Sequence, residues 1–167
     1  MEAVINHENC DESVLQKIVE ILGKNKLLES IDGIKYNDCD TILEAIINHE
    51  KCNFIVLSEI VETFGERGLI NGTTIRCSNK HYKHYNPLLA TNPNKIGDVM
   101  ECDDKCCDTL LEAIINHEDC NNLVLCDIVR TFGKKGLLNK TTIKYGSGCC
   151  NTLLEAIINH ENCDEST

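Results

Sequence analysis

Apolar and polar positions along this chain follow an order that returns. From Thr109 to Cys120 it reads TLLEAIINHEDC; the same order stands at Thr41 to Cys52 (TILEAIINHEKC) and Thr152 to Cys163 (TLLEAIINHENC), and in shortened form at Glu2 to Cys10 (EAVINHENC). The equivalent glutamates Glu2, Glu44, Glu112 and Glu155 lie 42, 68 and 43 residues apart. One unit is therefore about 42 residues, and one unit carries an insertion of about 25. The chain reads as a single repeat domain, with units at 1–40, 41–108 (insertion 78–105), 109–151 and a truncated 152–167. Catalytic sites seldom recur in this way.

Within a unit the pattern predicts two helices. Thr109 followed by Glu112 is a capping box, with the hydroxyl accepting from the third amide of the helix and the carboxylate reaching back to the cap amide; Thr41/Glu44 and Thr152/Glu155 repeat it. A first helix runs from there to about His117, apolar at Leu110, Leu111, Ala113, Ile114 and Ile115, and so short that it needs covering on both sides. After a polar break at Glu118 to Asn122, a second helix spans about Leu123 to Phe132, with counterparts at Ile55 to Phe64 and Val14 to Leu22. Each second helix ends on glycine and basic residues, such as Gly133-Lys134-Lys135-Gly136, which suit a C-terminus through left-handed backbone and dipole complementation.

The connectors GLLNKTTIKYGSG (136–148), GLINGTTIRC (68–77) and KLLESIDGIKYND (26–38) place short apolar or β-branched pairs on both sides of a polar turn, with Asn71-Gly72 the strongest hairpin signal. One projecting hairpin per unit is the expectation. The insertion begins with Lys80-His81-Tyr82-Lys83-His84-Tyr85 and ends in ECDDKCCD (101–108). Asn86-Pro87 suits a short helix start, and the rest reads as a long surface loop. The sequence thus predicts an all-α chain, an α-solenoid of stacked helix-loop-helix repeats with hairpin connections.

The unit resembles an ankyrin repeat. The family's opening Thr-Pro-Leu-His-x-Ala-Ala aligns with Asp108-Thr109-Leu110-Leu111-Glu112-Ala113-Ile114, and its Ile-Val-x-x-Leu-Leu-x-x-Gly is similar to Ile128-Val129-Arg130-Thr131-Phe132-Gly133-Lys134-Lys135-Gly136. The proline and histidine of the opening motif are missing, a longer polar loop separates the helices, and the period is longer than the family's. The resemblance implies a protein-interaction module that binds a partner through a concave face, hairpin tips and the inserted loop. On that alignment Glu44, Asn48, Glu112 and Asn116 would form polar ladders on the inner face, and Lys80, Tyr82 and Tyr85 would contact a partner from the loop.

Charge narrows the partner. A formal charge of −11 and a sequence pI near 4.9 argue against a phosphate-binding surface and favour a protein with a basic surface over nucleic acid. No apolar run approaches a membrane span. The N-terminus MEAVINHENCDES lacks the basic and apolar regions of a signal peptide, so the expectation is a cytoplasmic, reducing compartment despite 12 cysteines. Both termini carry the identical stretch INHENCDES (5–13 and 158–166), and neither resembles a polar capping repeat, so exposed ends would invite end-to-end self-association.

The recurring His-x-x-Cys pairs (His7/Cys10, His49/Cys52, His117/Cys120, His160/Cys163) and the group Cys102, Cys106, Cys107 are the candidate metal or redox chemistry. Equivalent atoms in a stack lie one repeat apart, so His117 and Cys120 read first as a helix-ending histidine and a small buried thiol. A Cys/His metal-binding or redox-responsive module is the alternative function. No phosphate loop or flanked catalytic triad is present, so neither an enzyme nor a cofactor is expected.

Overall fold

The computed structural model describes residues 2–5, 7, 9–25, 41–65, 67–70, 74–76, 107–145 and 149–164. In chain order these form α1 (Glu2–Ile5), α2 (Glu12–Asn25), α3 (Ile42–Ile47), α4 (Phe54–Gly65), β1 (Thr74–Arg76), β2 (Cys107–Thr109), α5 (Leu110–Ile115), α6 (Asn122–Gly133), β3 (Thr142–Tyr145), β4 (Cys149–Thr152) and α7 (Leu153–Ile158). The chain is mostly helical, and its described strands are confined to two short antiparallel ladders. The hairpin turn Asn71-Gly72, the connector 26–38 and the whole insertion 78–105, with the helix start at Asn86-Pro87, lie outside the described residues.

The capping boxes set the start of α3, α5 and α7. Thr41, Thr109 and Thr152 each accept the third amide of the helix while the glutamate returns to the cap amide. These inner helices are only six residues long, capped by Asn48, Asn116 and Asn159 rather than reaching the following histidine. The reason is the histidine ring itself: His117 Nδ1 accepts the amide of Asp119 at 3.1 Å, which closes a turn outside the helix. Every residue of α3 and α5 is buried, the glutamates included. An apolar side chain buried this fully contributes about 1.5–3 kcal/mol, far more than a six-residue helix could gain from its own hydrogen bonds.

The outer helices α2, α4 and α6 begin at Asp11, Asn53 and Asn121. The side-chain oxygen of each accepts an amide of the first turn: Val14 at 3.0 Å, Ile55 at 3.0 Å and Leu123 at 3.0 Å respectively. On α2, Lys17 at 2.6 Å and then Lys24 donate to Glu20 and pull its carboxyl down to about 2. Helix α2 packs against α4, and α4 against α6, while α1 lies beside α3. A single apolar cluster runs from Ile5 to Ile157 through all of them.

Close approach along the outer row depends on glycine. A Cβ at Gly23 would stand 2.0 Å from Thr63 Cγ2, and one at Gly65 would stand 2.7 Å from Thr131 Cγ2. Gly23, Gly65 and Gly133 hold the same place in successive units, as do Ile21, Thr63 and Thr131. The glycine of one helix is thus the socket for the threonine of the next.

The hairpins are phased differently from the sequence expectation. Segment 137–140 is a turn, closed by Lys140 N to Leu137 O at 3.0 Å and Thr141 N to Leu137 O at 2.9 Å, and it supplies no strand. Pairing instead joins Thr142–Tyr145 to Cys149–Thr152, with Thr142 opposite Thr152 and Tyr145 opposite Cys149. Leu137 and Leu138 pack against the core, which leaves the β-branched run after them to form the first arm. In the second unit Thr74–Arg76 pairs with Cys107–Thr109, so the insertion leaves from the hairpin's far end. Both second arms end on the capping threonine, and strand passes into helix with no linker.

Gly65→Ala is expected to destabilise the chain by about 1–3 kcal/mol through overpacking against Thr131. Gly133→Ala, where a Cβ would meet only Leu138 Cδ1 at 3.6 Å, is expected to stabilise by up to about 1 kcal/mol through helix propensity. Urea denaturation of the two variants measures both, and equal effects at the two sites would contradict the socket.

Candidate functional site: the histidine joint and the inter-helix edge

The repeated histidines join neighbouring units. His49 Nε2 lies 3.2 Å from the carbonyl of Ile5, His117 Nε2 lies 3.3 Å from that of Ile47, and His160 Nε2 lies 3.0 Å from that of Ile115. All three rings are buried. Each Nδ1 accepts the amide two residues on, from Lys51 at 3.0 Å, Asp119 at 3.1 Å and Asn162 at 3.1 Å. An Nδ1 that accepts must be unprotonated, so the ring is the neutral tautomer with its proton on Nε2, donating to the preceding unit's carbonyl. The acceptor is the last residue of the preceding inner helix, one of the carbonyls that a helix end leaves unmet. His7 makes the same local bond, from Asn9 N at 3.2 Å, but is exposed.

The following cysteine completes the turn. Cys52 and Cys120 amides donate to the histidine carbonyls at 2.8 and 2.9 Å, and both thiols are buried. Burial pushes the Cys120 thiol up to about 12, and burial followed by the charge of Asp119 raises that of Cys52. Such thiols stay protonated at neutral pH, opposite to the thiolate that a metal or an oxidant requires. With both ring nitrogens of His117 engaged, His117 and Cys120 act in this structure as joint and filler. Among the described residues no three His, Cys, Asp or Glu side chains gather as metal ligands. Cys102 and Cys106, the side chain of Cys107, and Lys80, Tyr82 and Tyr85 lie outside the description.

The polar ladder positions turn inward. Glu112 Oε2 accepts the Thr109 amide at 2.8 Å, and its Oε1 accepts the Lys144 amide at 2.7 Å. Asn116 Nδ2 donates to the carbonyl of Lys144 at 3.2 Å and to that of Glu112 at 2.8 Å. Two side chains one helical turn apart thus grip both backbone groups of one strand residue and fix the hairpin to α5. Glu44 is buried as well, its Oε2 accepting the Thr41 amide at 3.1 Å, and Asn48 caps α3. Glu44 and Glu112 therefore hold the unit's own backbone and do not present an open acidic groove.

What the repeat does present is the turn that follows its inner helix. The residue after each joint histidine is glutamate, and Glu50, Glu118 and Glu161 are placed outward at that turn, Glu50 and Glu118 well exposed, with Asp119 beside the third unit's joint. The buried ring holds the loop from inside while the carboxylates stay at the surface. The signal was the recurring His-Glu pair, whose histidine read first as a helix-ending residue with metal ligation as the alternative, and whose glutamate was overlooked.

No protein-family model, no curated protein and no solved structure matches the chain.

His117→Ala leaves the Ile47 carbonyl and the Asp119 amide without their partners inside the stack, and is expected to cost about 3 kcal/mol or more. His7→Ala, at the exposed equivalent, should stay within about 0.5 kcal/mol. Chemical denaturation followed by circular dichroism measures both, and similar losses for the two variants would refute the joint.

Proposed function

We propose that the chain is a protein-interaction module: an ankyrin-like stack of repeats that binds a partner with a basic surface. One observation carries this reading. The buried histidine joint fixes the turn after the inner helix in three successive units, and each such turn places a glutamate at the same surface position, as Glu50, Glu118 and Glu161. A fixed row of like charges at repeat spacing suits a basic segment of matching length, and the formal charge of −11 steers such a partner in. Repetition itself also suits binding better than turnover. The hairpin tips and the inserted loop, with Lys80, Tyr82 and Tyr85, would supply specificity beside this edge.

The test is affinity capture with the immobilised chain against the variant Glu50→Lys/Glu118→Lys/Glu161→Lys, all three changes at surface turns. The native chain is expected to retain a basic protein that elutes with rising salt, and the triple variant, equally folded, is expected to lose it. Equal retention by both chains, or none by the native chain, overturns the proposal.

A further inference from the structure

Each joint ring is neutral because both of its nitrogens are engaged: Nδ1 accepts an amide of its own turn, and Nε2 donates to a carbonyl of the preceding unit. A second proton has only Nδ1 to go to. There it would take the lone pair that the amide of Lys51, Asp119 or Asn162 uses, set two N–H groups against each other, and leave a charge in a buried site. The same arrangement stands in three successive units, so a condition that upsets one joint upsets all three.

We propose that the joints form a pH-sensitive switch, in which protonation of His49, His117 and His160 in mild acid parts each unit from the one before it. A ring outside the joint takes its proton at about pH 6.5, whereas the joined ring offers no open lone pair. The parted form therefore binds more protons than the stacked form below that pH, and stability present at neutral pH is lost as the pH falls through it. Parting and unfolding coincide, because six-residue inner helices do not persist without a neighbour.

The groups around the rings do not reverse this. Each ring's own turn carries Glu50 and Lys51, Glu118 and Asp119, or Glu161. Asp119 Oδ2 lies 3.9 Å from His117 Nδ1, beyond hydrogen-bonding reach, and its side chain is half-exposed, so water screens the support it gives a charged ring. The preceding unit's turn adds Cys10, Asp11 and Glu12 to the surroundings of His49, Cys52 beside Lys51 to those of His117, and Cys120 beside Asp119 to those of His160. Burial keeps these three thiols protonated. Glu44 and Glu112 stand at the other end of their inner helices, bonded to the cap amides. Carboxylates titrate at about pH 4, below the range in which the rings act. Glu20, drawn down to about 2 by its bonds from Lys17 and Lys24, and Asp11, lowered by the Ser13 hydroxyl, add acid sensitivity only at that lower pH.

The switch does not depend on the acidic edge having a partner, and urea denaturation of the reduced chain tests it. Between about pH 7.5 and about pH 5.5 each joint, taking one proton, raises the unfolding equilibrium constant about tenfold, and the three together raise it about a thousand-fold. His117→Gln and His160→Gln keep an N–H for the carbonyl but cannot take a proton, and each is expected to reduce the rise to about a hundred-fold. Should neither variant fold, the native chain still decides: the ring C–H resonances of the three joints are expected to hold their neutral positions down to the pH at which the chain unfolds. A native chain whose constant rises about tenfold or less, folded variants with an undiminished rise, or buried rings that titrate while the chain stays folded would each overturn the proposal.

Discussion

A hydrogen bond from a neutral imidazole to the last carbonyl of the preceding inner helix is the constraint on which the architecture depends. It solves two problems together. The short inner helix ends in a buried setting where its carbonyl needs a partner, and the loop after it needs its own amides met. One ring meets both demands, provided that its proton sits on Nε2, and the amide donated to Nδ1 enforces that choice. Because donor and acceptor belong to adjacent units, the bond also sets how far one unit sits from the next.

The remaining contacts follow from that spacing. Six-residue helices with every side chain buried have no stability alone and exist because a neighbour covers them. The outer row must approach as closely as the inner row does, and the glycine sockets at Gly23 and Gly65 make room for Thr63 and Thr131. Lys135 Nζ, donating to the Gly65 carbonyl at 2.9 Å, caps the neighbouring helix rather than its own, a further bond between units. The exposed pairing of Arg130 with Glu62 adds little beside these, as surface ion pairs generally do.

How much of this the sequence discloses depends on the range of each interaction. The capping boxes, the outer-helix boundaries to within three residues and the repeat itself are local, and they read directly from Thr109, Glu112 and their copies. The hairpin register did not, because the burial of Leu137 and Leu138 decides which residues remain to form a strand. The histidines were visible and read first as helix-ending residues, but their role between units was not legible: their acceptors are 44, 70 and 45 residues away, so nothing nearby identifies a joint. Glu112 was half legible. Its bond to Thr109 is three residues long, and its bond to Lys144 spans 32.

The protonation pattern of the rings tests this account most directly. Long-range nitrogen–proton correlation spectra at neutral pH should show His49, His117 and His160 as single neutral tautomers protonated on Nε2, with His7 free to sample both forms. If the three buried rings carried their proton on Nδ1, or averaged between forms as His7 does, the units could not be joined in the way described.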